Sequence, residues 1–384
     1  MKFNSLSRYV EIDTEKKALI EDAFPKKTLR EKITSDLNQS IKFDYVGEYS
    51  LKVPHLEREI TRICPKCGQK YSDGELFCFK CAVALKDAEI VNVKNIDVMH
   101  EFDFKAKNNY NSFTDILTGE NLEKLAGFNF SSDDFSKIIK SIKLAALKSL
   151  DAAIKTNGLD LDDLTILEKI ILFTKTFVKV EYKSYGPELG YYRFNTIFVD
   201  DRQLDALQIT TMLHELTHFL IKEILTQMLC RILDASKTRE FESIVSFILS
   251  YSAENCLIDE YAAHTVEGRF TLIGYQDYSS FLNIQKTIQR SDDEIEMLKT
   301  IGNSLSNVVK DILESFIDED LLEDIKDQFK RDIMDEPDYS QLLLENCTLL
   351  NDVGFFKALE FILVDGFAVA MDNMEKLSEI NKMW

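Results

Sequence analysis

Apolar residues recur at helical spacing over most of the chain and switch to alternation in a few places. Phe135, Ile138, Ile139, Ile142, Ala146 and Leu150 fall on one face behind an acidic start at Asp133 and Asp134. This predicts a helix over 132–157 that stops at Asn157-Gly158. A second helix is expected over 161–176. Alternation then takes over in FVKVEY (177–182) and YYRFNTIFV (191–199), with Gly186-Pro187 and Gly190 between them, which predicts an antiparallel hairpin. Asp200 and Asp201 close the second strand and offer N-cap oxygens to a long helix over 204–233. A break at 234–238 leads to another helix over 240–266, with Gly268 as its stop. Two helices joined by so short a turn should pack antiparallel. Upstream, a helix is expected over 15–37 with a break at Pro25, strands over 41–53, and a short helix near 121–126 in an otherwise linker-like stretch.

The long helix carries the chemistry. Its middle reads His214-Glu215-Leu216-Thr217-His218. Two imidazoles four residues apart share one helix face and can reach one metal ion. Glu215 follows the first of them and stands beside that ion, the H-E-x-x-H arrangement of a zinc with a general base. With only five His in the chain, the match is specific. A zinc that does catalysis takes three protein ligands and keeps one open position. Glu254, Asp259, Glu260 and His264 on the following helix are the candidates for the third ligand.

A second centre lies upstream. Cys64 and Cys67, then Cys78 and Cys81, make two CxxC knuckles within RICPKCGQKYSDGELFCFKCAVAL (62–85), with a hairpin expected through Ser72-Asp73-Gly74. Four thiolates at this spacing close a tetrahedral structural zinc site, iron being the alternative for the same ligand set. The segment resembles a zinc ribbon, with Ala82 where glycine is usual. Cys230, Cys256 and Cys347 stand alone in apolar contexts and are expected to be core thiols.

Composition narrows the class. Few punctuators, 13 Gly and 5 Pro, fit long helices in a mostly helical protein. The N-terminus lacks the apolar core of a secretory signal. The most apolar run, 355–371, is interrupted by Lys357, Glu360 and Asp365, so no membrane span is expected and a cytoplasmic location is. The net charge of −20 is uneven. Residues 1–100 carry 17 basic against 16 acidic side chains, whereas 291–340 carry 5 against 16. An acidic surface repels nucleic acid. Around the ribbon, Arg58, Arg62, Lys66, Lys70 and Lys80 are offset by Glu57, Glu59, Asp73 and Glu75, which favours a protein contact or a structural role over nucleic-acid reading.

Strand, HExxH helix and acidic helix together resemble the core of gluzincin-type zinc metallopeptidases, and more closely the ImmA/IrrE family. The second helix of that family often reads Glu-x-x-Ala-(Asp/Asn). Here Glu260-Tyr261-Ala262-Ala263-His264 supplies the Glu and the Ala, with His264 in place of the acid or amide. The resemblance covers about residues 165–268 and implies Glu260 as the third zinc ligand. It implies an intracellular metalloprotease acting on a protein or peptide substrate, with zinc-bound water activated by Glu215. Tyr261, His264, Tyr251 and Arg193 are candidates to donate to the transition state, and the strand 191–199 is a candidate edge for an extended substrate. The alternative is a non-catalytic zinc scaffold that contacts a partner through the ribbon. The expected fold class is α+β and mostly helical. Its parts are an N-terminal segment (1–61), the zinc ribbon (62–85), a linker (86–130), a zincin-like core with a short antiparallel sheet (131–269) and an acidic, all-helical region (270–384). Two zinc ions per chain are expected, one catalytic and one structural.

Overall fold

The computed structural model describes residues 12–13, 49–52, 59–67, 69–71, 75–90, 93–96, 99–102, 107–182, 190–271, 279–333 and 349–382. The expected helix over 15–37, the turns at Ser72–Gly74 and Gly186-Pro187, and Cys347 lie outside them. The fold is α+β and mostly helical with small sheets. No helix among the described residues is long and apolar enough to cross a membrane.

Short pairs come first. Strand β1 (Ile12–Asp13) pairs antiparallel with β10 (Leu349–Leu350), so the C-terminal region is not purely helical. Strand β2 (Tyr49–Lys52) pairs with β6 (Met99–Phe102). The cysteine-rich segment forms a three-stranded sheet in which β3 (Glu59–Ile63) lies between β4 (Lys70–Tyr71) and β5 (Lys86–Ile90). Lys70 of this lobe meets Glu168 at 2.7 Å, which ties it to the helical body. The stretch read as a linker is partly ordered: α1 (Phe113–Ile116) and α2 (Gly119–Gly127) start on the side chains of Ser112 and Thr118.

Helix α3 (Ser132–Asn157) follows the predicted pattern, with Ser131 accepting from Asp134 N and Gly158 turning left-handed at φ 61°. The helix expected over 161–176 is shorter: α4 (Ile166–Lys175) begins at a capping box between Thr165 and Glu168.

The sheet beside the long helix departs from the expected hairpin. Strand β7 (Lys179–Tyr182) runs parallel to β9 (Thr196–Val199), and β8 (Gly190–Arg193) pairs antiparallel with β9 on its other side. The run 191–199 is therefore two strands. Phe194 and Asn195 both take positive φ, 47° and 56°, as a two-residue hairpin turn requires. Asparagine tolerates this conformation and phenylalanine does not advertise it, so the turn was not visible as punctuation.

The central helix is α5 (Asp205–Leu233), buried along most of its length. Its N-cap position is Leu204, without a side-chain cap. Asp200 instead accepts from the backbone N–H of Arg202 in the preceding turn, while the first-turn amide of Ala206 donates to Asp332 at 3.0 Å. That cap comes from α10 (Glu319–Asp332), far along the chain.

The helix expected over 240–266 is two helices, α6 (Arg239–Ser250) and α7 (Ala253–Phe270). Ser252 accepts from Asn255 N and starts the second. Gly268 lies inside α7, not at its end. Helices α8 (Ser279–Thr287), α9 (Asp292–Glu314), α11 (Asp352–Met371) and α12 (Met374–Lys382) complete the body. α7 packs on α5 and on α9, and α6 packs on α11. A Cβ at Gly302 of α9 would stand 2.8 Å from Ile258 O, so this glycine sets how closely α7 and α9 approach. One buried apolar cluster runs from Val93 to Leu377 and encloses α5.

Candidate metal centres

The main site sits between α5 and α7. Residues 214 and 218 lie one turn apart on α5, while 259, 260, 264 and 267 fall on the facing side of α7. His218 meets Asp259 and Glu260, and His214 meets Glu260 and Glu267, so the helices run antiparallel here.

The two Nε2 atoms of His214 and His218 are 3.2 Å apart. Glu260 lies across from them, its Oε2 3.8 Å from Nε2 of His214 and its Oε1 3.9 Å from Nε2 of His218. These three side chains could hold a metal ion, and so could His214, His264 and Glu267. His214, His218 and Glu260 are largely buried, with side-chain exposures of 15%, 13% and 23%.

The other ring nitrogens are held. Nδ1 of His218 is 2.9 Å from Asp259 Oδ2, and Nδ1 of His214 is 3.1 Å from Glu267 Oε2. Each Nδ1–H that donates to a carboxylate leaves the Nε2 lone pair facing Glu260. Burial disfavours charge on His218, but the Asp259 carboxylate outweighs it and raises the ring to about 10. His214 is raised too: burial opposes this, while the hydrogen bond to Glu267 and the Glu215 charge prevail. Glu267 itself is lowered by His214 and His264 in spite of its burial. Oδ1 of Asp259 and Oε1 of Glu267 are buried without a hydrogen-bond partner. Asp259, Glu260, Glu267 and Glu215 thus crowd the imidazoles with negative charge, and a cation at the Nε2 atoms fits this donor set.

The remaining candidates are placed as follows. Glu215 is half-buried, and its charge acts on both His214 and His218. Glu254 is drawn away from the centre into an ion pair with Arg290 at 3.1 Å. Asp259 supports a ring through Nδ1. Tyr261 is buried and packs where Gly302 admits it. The Tyr251 hydroxyl donates to Asp365 at 2.6 Å, and Arg193 lies over the Phe194 ring at 4.6 Å. Glu267 was missed by sequence reading. Its signal was the polar stripe Glu260, His264, Glu267 at i, i+4 and i+7 on an otherwise buried helix face.

The second centre is the cysteine lobe. The sulfurs of Cys64, Cys67, Cys78 and Cys81 all lie within 4.8 Å of one another. The backbone N–H groups of Lys66 and Cys81 point at the sulfurs of Cys64 and Cys78, at 3.4 and 3.3 Å, and the Tyr71 hydroxyl donates to Cys78 at 3.0 Å. Burial opposes ionisation of Cys78, but the hydrogen bonds from the Tyr71 hydroxyl and the Cys81 backbone bring its thiol down to about 6. Cys81 is pushed up to about 12, chiefly by its hydrogen bond with Cys67. Four thiols this close resist further ionisation among themselves, and a metal cation removes that conflict. Of the single cysteines, Cys230 is buried and Cys256 is half-buried.

No protein-family model matches the chain, and comparison with curated proteins and with solved structures likewise gives no match. The functional reading therefore rests on the geometry of the two donor sets.

Proposed function

We propose that the protein is a zinc-dependent metallopeptidase with a zinc ribbon beside its helical body. The observation that carries this is the convergence of Nε2 of His214 and His218 on Glu260, with each Nδ1 locked by a carboxylate and Glu215 next to the pair. A zinc ion held there would act as a Lewis acid and make water a nucleophile near neutral pH. Glu215 would take a proton from the attacking water and return it to the leaving amine. Asp259 and Glu267 fix the tautomer and orientation of the ligand rings. Strand β8 has one hydrogen-bonded neighbour among the described residues and borders α5, so an extended peptide would pair along β8. β9, covered on both sides, is not available for this.

The test is a peptide library incubated with wild type and with Glu215→Gln, both loaded with zinc and read by mass spectrometry. Wild type should cleave and Glu215→Gln should lose at least about a hundredfold in rate. Equal behaviour of the two favours the second reading, a zinc scaffold. One observation supports that reading: Leu76, Phe77 and Phe79 on the second cysteine knuckle are 62%, 58% and 83% exposed. Such an apolar knuckle suits a protein contact.

A further inference from the structure

The cysteine lobe is fastened to the helical body at both ends of one helix. At the start of α4, Lys70 Nζ donates to both carboxylate oxygens of Glu168 at 2.7 Å. Glu168 closes the capping box of that helix, and its Oε2 also accepts from Thr165 N at 2.9 Å. Burial opposes charge on Glu168, but Lys70 and Thr165 hold its carboxyl below the usual range. At the far end of α4, Lys175 Nζ donates to the carbonyls of Lys94 and Ile96 at 2.5 and 2.6 Å. These carbonyls belong to the chain that leaves the lobe after β5, where Val93 and Ile96 are buried in the common core. Lys94 itself lies 4.7 Å over the Tyr182 ring of β7 and 3.8 Å from Asp201, just before α5. On its other side the lobe is built on the sulfur cluster. The first knuckle, closed by Cys64 N donating to Gln69 O at 3.0 Å, joins β3 to β4 and sets the register that pairs Ile63 with Lys70. Tyr71, beside Lys70 on β4, donates its hydroxyl to Cys78 Sγ at 3.0 Å.

We propose that the lobe is a metal-dependent clasp on α4: an ion held by Cys64, Cys67, Cys78 and Cys81 fixes β4, and β4 fixes the start of α4 through Lys70. The proposal rests on the metal reading of the cysteine lobe and gives that metal a task in the helical body. Strand β4 is only two residues long, and so small a sheet does not hold its register without the ion. When the ion leaves, β4 loses its place and Lys70 leaves Glu168. Glu168 then keeps only the partners of its own helix turn, and α4 frays from its first turn. α4 packs on β7 and on α5, the helix that carries His214 and His218, so the clasp acts one helix away from the other centre.

Hydrogen exchange of the zinc-loaded full chain, read by mass spectrometry with metal content measured in parallel, tests this. Cys64→Ser empties the lobe, whereas Lys70→Met cuts the link and keeps all four cysteines. Peptides from α4 should exchange roughly tenfold or more faster in Cys64→Ser than in wild type, while α11 keeps its wild-type rate. Lys70→Met should raise α4 exchange with the lobe metal retained, and adding Cys64→Ser to it should change α4 by less than in the wild-type background. A wild-type rate in α4 of either variant would overturn the clasp and leave the lobe's metal standing. Should Cys64→Ser loosen every helix alike, Lys70→Met decides by the same criterion. Equal zinc content in wild type and Cys64→Ser would overturn the clasp together with the metal reading of the lobe.

Discussion

Asp259 stands 2.9 Å from Nδ1 of His218, so that the other ring nitrogen, Nε2, faces Glu260. The sequence offered this aspartate as a candidate ligand, and here its carboxylate meets the ring of His218. Asp259→Asn keeps the shape and removes the charge, so the ring loses basicity and its fixed tautomer. Metal affinity at the His centre should fall by about tenfold to a hundredfold, measured by competition with a chromophoric chelator, with the fold retained. A loss no larger than that of Glu254→Gln, whose parent residue pairs with Arg290, would remove Asp259 from the centre.

Ala82 closes the second cysteine knuckle with φ 53°, and its N–H donates to Cys78 O at 2.8 Å. A Cβ in this region costs on the order of 1 kcal/mol. Ala82→Gly relieves that strain, and the cysteine lobe should bind its metal about fivefold more tightly, the affinity equivalent of that energy. Weaker binding by the glycine variant would show that the strain is absent.

Lys237 meets Glu223 at 2.6 Å and Glu242 at 3.0 Å, and both carboxylates are buried. Asn195 of the β8–β9 turn also donates to Glu242, so this cluster anchors the sheet to α5 and α6. Lys237→Met leaves two buried carboxylates without that cation. The expected loss is about 3 kcal/mol or more in urea unfolding, read as a lower midpoint. A change under about 0.5 kcal/mol would mean that the carboxylates find another cation.

Asp200 accepts from Arg202 Nε and Nη2 at 2.9 and 2.5 Å, and the Arg202 guanidinium lowers its carboxyl to about 2. A carboxyl held below its unfolded value stabilises the fold above about pH 4 and loses that contribution as pH falls toward about 2. Wild type should therefore melt higher than Asp200→Asn at pH 6, and the gap between them should close between about pH 4 and about 2. A gap independent of pH would assign Asp200 a packing role alone.

The helices α3 and α5 and the pairing of His214 with His218 were legible because each depends on spacing within one element. Glu260 came from the resemblance, and the geometry brings it to the two histidines. What was not legible depends on partners far along the chain. The capping of α5 by Asp332 is such a case, whereas the parallel pairing of β7 with β9 is nearby in sequence and was hidden because β8 intervenes between them. The break at Tyr251-Ser252 had only Ser252 to mark it, and helix-forming residues on both sides hid it. Glu267 was passed over because it lies two turns beyond Glu260. That distance reads as unrelated along the chain and as adjacent on the helix face.

Metal analysis of the purified chain bears most directly on the central claim. Two zinc per chain are expected in wild type, and His214→Ala and Cys64→Ser should each lose about one, from different centres. A single zinc in wild type that His214→Ala leaves unchanged would contradict a metal centre between α5 and α7.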